Sequence, residues 1–306
     1  MNNILITGGT GLIGTHLAKR LLERGYKVAL LSRSARSDHT IPVYQWNPDT
    51  GEMDDKALDH ADFIIHLAGV NIGDKRWTPN RKQQILDSRI KSGELLRHAI
   101  EKRERKPQAF ISASAIGYYG AVSSDAIFEE AAPAHSDFLG QTCKSWELVA
   151  DRFEEIGVRS VKIRTGVVLS PQGGALSKLS LAIRYGVGAP LGSGKQYMPW
   201  IHIEDLCGIF IHAIEHKQLT GAFNAVAPEH ITNRDLTIRI ARELRKPLWL
   251  PNIPASVLRL MFGEMSAMLL TGSRVSAEKI RAAGYSFQFP EIEAALQQLN
   301  FKQARK

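Results

Sequence analysis

The chain has 306 residues, 44% hydrophobic and 23% charged, a soluble globular composition with room for a large core. Lys+Arg 39 against Asp+Glu 31 gives +8, but the excess is spread along the chain, and its densest runs are residues 102–106 and the tail 302–306. No single basic or aromatic-basic stripe emerges, which argues against nucleic acid. Two cysteines, Cys143 and Cys207, exclude a disulfide framework.

Ile4 to Ile6 reads as a buried strand, and Gly8 to Gly14 as a tight turn feeding a helix that includes residues 16–24. The spacing Gly9-x-Gly11-x-x-Gly14 is a dinucleotide fingerprint. Its glycines allow the turn, the approach of a pyrophosphate and close helix–sheet packing. Ile13, Leu17 and Leu21 give the helix one apolar face, so the turn sits in the strand–helix setting the fingerprint needs. Gly8, Thr10, Gly11, Leu12, Ile13 and Gly14 are therefore expected to hold the cofactor.

Residues 26–31 form the second strand, ending in Ser32-Arg33. NAD-selective sites carry an acidic residue here for the ribose hydroxyl. Arg33, with Arg36 behind it, instead suits a 2′-phosphate, so NADP is the expected cofactor. Further strands are read at 43–46, 62–67, 109–113, 159–164 and 221–226. Small residues after the 62–67 strand place Leu67, Ala68 and Gly69 against the cofactor, while His66 reads as a satisfied core residue. A helix from Thr78-Pro79 to about residue 102 carries Gln84 and Arg89, and Val168 follows the 159–164 strand. The segment 138–156 is a helix, 198–202 is extended, and 204–216 is a helix. Beyond residue 228, helices are expected at 232–244, 254–270, 276–283 and 290–299, with 257–270 a core helix too short and too charged to span a bilayer. Alternating strands and helices imply an α/β, doubly wound parallel sheet with ligands at the strand carboxyl ends. We read residues 1–227 as the nucleotide domain, with 171–200 contributing to the substrate cleft, and 228–306 as a smaller, mainly helical lobe.

TGGTGLIG, HLAG, the serine-rich 109–115 segment with its YYG, and RTGVVL together resemble the extended short-chain dehydrogenase/reductase superfamily. FLGQTCKSWE, GSGKQYMPWIHIED, GAFNAVAPE and FGEMSAMLLTGSRV are similar, more narrowly, to its atypical "epimerase family protein" group, which is NAD-dependent epimerase/dehydratase-like with a characteristic C-terminal domain. The resemblance covers the whole chain and implies a Rossmann-type fold and NADP(H) binding. Typical members use Tyr-x-x-x-Lys, with the phenol as proton carrier. Here that helix offers either Gly140 with Lys144 or Leu139 with Cys143, and neither register holds a phenol. The resemblance leaves Ser114 as the upstream serine and Arg89 where Asn is common.

Ser114, Tyr118 and Lys144 are the catalytic candidates. Tyr118 and Tyr119, just after Ser114, offer phenols for acid–base work and are equally read as aromatic packing, Lys144 as either a ribose contact or a solvated helix residue, and Cys143 as a small apolar side chain. His202 and Asp205 are read as structural. His212-x-x-Glu215-His216 matches a zinc-peptidase pattern, but no third ligand is evident and the helix already belongs to the α/β series. The leading expectation is an NADP(H)-dependent oxidoreductase or epimerase acting at a hydroxyl or carbonyl carbon. The alternative is a non-catalytic NADP(H) sensor. The partner is expected to be a small-molecule substrate, with neither nucleic acid nor membrane, in a cytoplasmic protein; a homo-oligomer is left open.

Overall fold

The computed structural model describes residues 2–34 and 41–299. In chain order the first half runs β1 (Asn3–Thr7), α1 (Leu12–Glu23), β2 (Lys27–Ser32), β3 (Val43–Asn47), β4 (Glu52–Met53), β5 (Phe63–His66), α2 (Pro79–Glu101), β6 (Ala109–Ala115), β7 (Ile127–Phe128) and α3 (Phe138–Glu155). The second half runs β8 (Arg159–Thr165), β9 (Val167–Leu169), α4 (Gly174–Arg184), β10 (Trp200–His202), α5 (Ile203–Glu215), β11 (Gly221–Ala225), α6 (Asn233–Glu243), α7 (Ala255–Phe262), α8 (Ala267–Leu270), β12 (Arg274–Val275), α9 (Glu278–Ala282) and α10 (Ile292–Gln298).

The main sheet has the order β11-β8-β6-β5-β1-β2-β3-β4, parallel except for β4. Its direction of winding reverses between β1 and β5, where a crevice opens beyond the strand ends. Side chains alternate across the sheet. Ile4, Ile6, Phe63, Ile65 and Ile111 face α1 and α5, while Leu5, Ile64 and Phe110 face α2 and α3. Both faces are covered by helices, which is why these strands are apolar throughout.

The C-terminal lobe has its own core, in which Ile231, Leu236, Ile240, Ile292 and Leu296 pack with Leu169, Leu176, Ile183 and Trp200 from α4 and the β9–β10 pair. His202 and Asp205 fasten this lobe to the sheet domain. His202 Nε2 lies 3.0 Å from Gln298 Oε1, and its Nδ1 accepts from the Glu204 N–H at the head of α5. The Asp205 carboxylate accepts from Gln288 N–H, Phe289 N–H and the Tyr285 hydroxyl at 2.8–3.0 Å.

Three details differ from the sequence reading. The first helix starts at Leu12, so Gly11 caps it. The expected core helix at 254–270 breaks after Phe262, where Gly263 takes a left-handed φ of +59°. Much of that segment is exposed: Val257, Leu260, Met261 and Met268 face outward, with Leu258 and Met265 buried.

Candidate functional site

The glycine turn lies at the winding reversal, and each glycine there meets a different neighbour. Gly8 adopts φ +69°, and a Cβ on it would come within 2.8 Å of the Leu67 backbone. A Cβ on Gly9 would strike Leu30, and one on Gly14 would lie 2.4 Å from the Gly8 carbonyl oxygen. Those three positions are closed by protein. Gly11 is exposed, and its Cβ would approach only the Gly8 oxygen, at 3.3 Å. Side chains cap the first turns of α2, α3, α5 and α6 (Thr78, Asp137, His202 and Thr232), whereas α1, like α4 and α7, has no side-chain cap. Its leading N–H groups and positive dipole end therefore face the open side of Gly11, a fitting cradle for a pyrophosphate.

Around this cradle, Thr10 is exposed and Leu12 reaches toward Gly173 and Gly174. Ile13 and Val168 are half-buried against the sheet core, and Val168 pairs with Ile201 of β10. Ser32 ends β2 and accepts from the Ser34 N–H, with Arg33 exposed beside it. Arg36 and the basic tail 302–306 lie outside the described residues.

A buried polar chain fixes the turn after β5. Thr7 Oγ1 accepts from the Leu67 and Ala68 N–H groups, so its own proton goes to His66 Nδ1 at 2.8 Å. His66 Nε2 then donates to Ser92 Oγ at 3.2 Å. Burial, followed by the nearby Arg89 charge, pushes the His66 pKa down to about 3, so the ring is neutral and structural. Arg89 donates to the Val70 and Ile85 carbonyls beneath exposed Gly69 and lies 4.8 Å from the Trp146 ring. Gln84 is exposed on α2, where it accepts from Arg81.

Of the candidate catalytic residues, Ser114 and Tyr118 both sit at the Arg164–Glu147 pair, and Lys144 stands apart on the exposed side of α3. Ser114 is buried, and its Oγ donates to Glu147 Oε1 at 2.6 Å. Arg164 grips both oxygens of Glu147 at 2.8 Å and donates to the Tyr119 hydroxyl, which donates in turn to Asn224 Oδ1 at 2.7 Å. Burial raises the Tyr119 pKa to about 12, so this phenol stays protonated inside the network. Tyr118 is half-buried with its ring 3.5 Å from the Arg164 guanidinium. Among the described residues its hydroxyl has no hydrogen-bond partner.

On α3, Leu139 and Cys143 are buried and face Gly117, whose Cβ would sit 3.5–3.6 Å from them. Gly140 instead presses on the His135 carbonyl, 2.2 Å from an added Cβ, and Lys144 is exposed. The face turned toward the Ser114–Tyr118 segment therefore carries Leu139 and Cys143. Burial first, and then Glu147, raises the Cys143 thiol to about 12, which leaves it protonated and inert near neutrality. Glu147, Arg164 and Asn224 were not singled out from sequence. A signal existed for two of them: Glu147 interrupts the apolar stripe Leu139, Cys143, Trp146, Ala150, and Arg164 ends a buried strand.

Next to Leu139 a cavity of about 670 Å³ opens between the sheet domain and the C-terminal lobe, with Trp77 and Phe138 on one side and Arg259 and Leu270 on the other. Across the same seam Arg76 donates to the Leu260 carbonyl, and Lys82 pairs with Glu264. The zinc pattern resolves into backbone contacts. His212 Nε2 lies 3.0 Å from the Ala283 carbonyl, and His216 Nδ1 3.0 Å from that of His212. No group of three or more His, Cys, Asp and Glu among the described residues is placed to hold a metal ion. None of the described helices is long and apolar enough to cross a membrane.

A parallel sheet wound in both directions, with a glycine cradle at its switch point and a helical lobe across the crevice, defines a Rossmann-type protein of the extended epimerase kind. The chain belongs to the NAD dependent epimerase/dehydratase family, whose model matches residues 4–226; a domain of unknown function (DUF1731) matches 253–299. It is 36% identical over 299 residues to the epimerase family protein YfhF of Bacillus subtilis, covering 97% of each chain. The crystal structure of human epimerase family protein SDR39U1 with NADPH superposes with a TM-score of 0.88 at 35% identity, covering 98% of this chain and 99% of that one. A UDP-glucose 4-epimerase from Thermus thermophilus, in complex with NAD, shares the fold alone: TM-score 0.77 and 20% identity over 99% of both chains.

Proposed function

We propose that this protein binds NADP(H) and exchanges hydride with a substrate carbon bearing a hydroxyl or carbonyl, as a reductase or epimerase. The observation that carries the reading is the cradle, where Gly8, Gly9 and Gly14 are closed by protein and Gly11 alone is exposed, with only the Gly8 oxygen near it, at a helix end without a side-chain cap. The NADPH held by the human relative supports it. In this reading Gly8, Thr10, Gly11, Leu12, Ile13 and Gly14 hold the pyrophosphate, and Ser32 with Arg33 takes the 2′-phosphate. Leu67, Ala68, Gly69, Gln84, Arg89 and Val168 line the remainder. When bound, NADPH supplies a hydride to the crevice. The chain's own residues orient the substrate and manage its proton.

Ser114 spends its proton on Glu147, so its oxygen is left as an acceptor for a substrate hydroxyl. Tyr118, whose hydroxyl is unengaged by the described residues, is the proton carrier we assign in place of the missing helix phenol. Lys144 points away on the exposed face of α3, so we give it no part in the proton step.

A second reading, an NADP(H) sensor without turnover, is favoured by Leu139 and Cys143 standing where a phenol and an ammonium would serve. Fluorescence titration with NADPH, followed by its oxidation against a panel of aldehydes and ketones, distinguishes the two. Binding with Tyr118-dependent oxidation supports the enzyme. Binding without oxidation across the panel favours the sensor, and absence of binding refutes both.

A further inference from the structure

The cavity beside Leu139 has an uneven chemistry. Trp77 packs edge-on against Phe138 with ring centres 5.0 Å apart, and Leu139, Ala267 and Leu270 extend this apolar lining. Four charged side chains share the cavity, and three of them are already matched. Lys82 is ion-paired with Glu264. Asp137 spends both oxygens at the head of α3, accepting from Gly140 N–H at 2.8 Å and Ala121 N–H at 2.7 Å. Arg259, on α7 across the cavity, has no ion pair or hydrogen bond from its side chain to any described residue.

We infer that this cavity receives the apolar body of a substrate carrying a single anionic group, a carboxylate or a phosphate, and that Arg259 holds the anion. The inference rests on the reading of the neighbouring crevice as the NADP(H) site, and it names the substrate class for that site. A guanidinium offers a planar fork of donors that fits either oxyanion. Arg259 is exposed, and a neutral ligand in the cavity would offer its guanidinium no partner for the water displaced on that side. A ligand with a second, separate anionic group would find no further unpaired cation in the cavity. Leu139 lines the cavity and also packs on Gly117, within the Ser114–Tyr118 segment, whereas Arg259 comes from α7 of the C-terminal lobe, so we assign the anion to the lobe side and the reacting carbon to the sheet side.

The test uses the full chain, free and saturated with NADP⁺, and calorimetric titration with 2-naphthoate, 2-naphthyl phosphate and the neutral 2-naphthamide. At least one anion should bind about tenfold or more tightly than the amide. Arg259→Gln should erase that preference while leaving amide binding intact, and Ala267→Trp, which fills the cavity, should abolish all three. The tighter of the two anions identifies carboxylate or phosphate as the natural group. Equal binding of anions and amide, a preference that survives Arg259→Gln, or no binding by any of the three would overturn the inference. NADPH fluorescence titration of each variant checks folding and tests the cofactor reading separately. Anion preference without NADPH binding would remove that reading and leave the cavity assignment standing.

Discussion

Replacing Glu147 by Gln keeps the shape of the side chain and removes its charge, which makes it a sharp test of the buried network. Glu147 and Arg164 are 7% and 3% exposed, and three hydrogen bonds converge on the carboxylate: two from Arg164 at 2.8 Å and one from Ser114 at 2.6 Å. The amide retains an acceptor for one or two of these but leaves the Arg164 charge without a counter-charge in a dry site. Breaking one side of a buried ion pair costs about 3–5 kcal/mol. At roughly 2–4 °C per kcal/mol for a large domain, the melting temperature should fall by on the order of 10 °C. Urea unfolding followed by circular dichroism gives the free energy directly. Glu147→Met combined with Arg164→Met should recover most of the loss, because two apolar side chains remove the desolvation problem together. A loss under about 1 kcal/mol for Glu147→Gln, or a double variant no better than the single, would refute the view of this pair as a mutually dependent buried charge network.

The remaining expectations concern the cradle and its surroundings. Gly14→Ala puts a Cβ 2.4 Å from the Gly8 carbonyl oxygen and should destabilise the fold by about 2–3 kcal/mol, seen as a lower urea midpoint. Gly11→Val should leave stability within about 1 kcal/mol, yet weaken NADPH on the order of a hundredfold in a fluorescence titration; retained affinity would overturn the cradle assignment. Arg33→Glu should weaken NADPH by at least about tenfold while NADH changes little, and equal losses would remove the 2′-phosphate assignment. His66 is held near 3 against an ordinary 6.5, so the unfolded chain takes up a proton that the folded one refuses. Its contribution to stability is therefore complete above pH 6.5 and declines as pH falls toward 3, by about 1.4 kcal/mol per unit. The urea-derived stability of His66→Gln between pH 6 and 4 should be flatter by about that slope; an identical slope would contradict a neutral, buried imidazole.

Most of the sheet domain was legible in the residues because its signals are local. An apolar run of four or five residues, a glycine turn and a helix with one apolar face repeat along the chain, and both faces of the sheet need apolar cover. The short strands β4, β7, β9 and β12 escaped, since two or three residues carry no periodicity of their own. Their pairings depend on partners that are distant in sequence, such as Val275 beside Phe128. The helix at 254–270 misled for a related reason. Its apolar content is high, yet whether Leu260 and Met261 meet a core or solvent depends on where Gly263 bends the chain.

The glycine spacing by itself predicts a dinucleotide-type turn, and Arg33 after β2 is the ground in the sequence for expecting a 2′-phosphate. Both are properties of a few adjacent residues acting through backbone freedom and charge. Tertiary structure alone decided which of those glycines is left exposed, because that depends on Leu67, Leu30 and the Gly8 carbonyl closing in on the others. It also decided between the two registers on α3, by turning Leu139 and Cys143 inward and leaving Lys144 in solvent. The Ser114–Glu147–Arg164–Tyr119 chain joins residues from β6, α3, β8 and the turn after β6. Such a network exists only where several strand ends converge, since its members hold their charges and protons by mutual contact inside a site from which water is excluded.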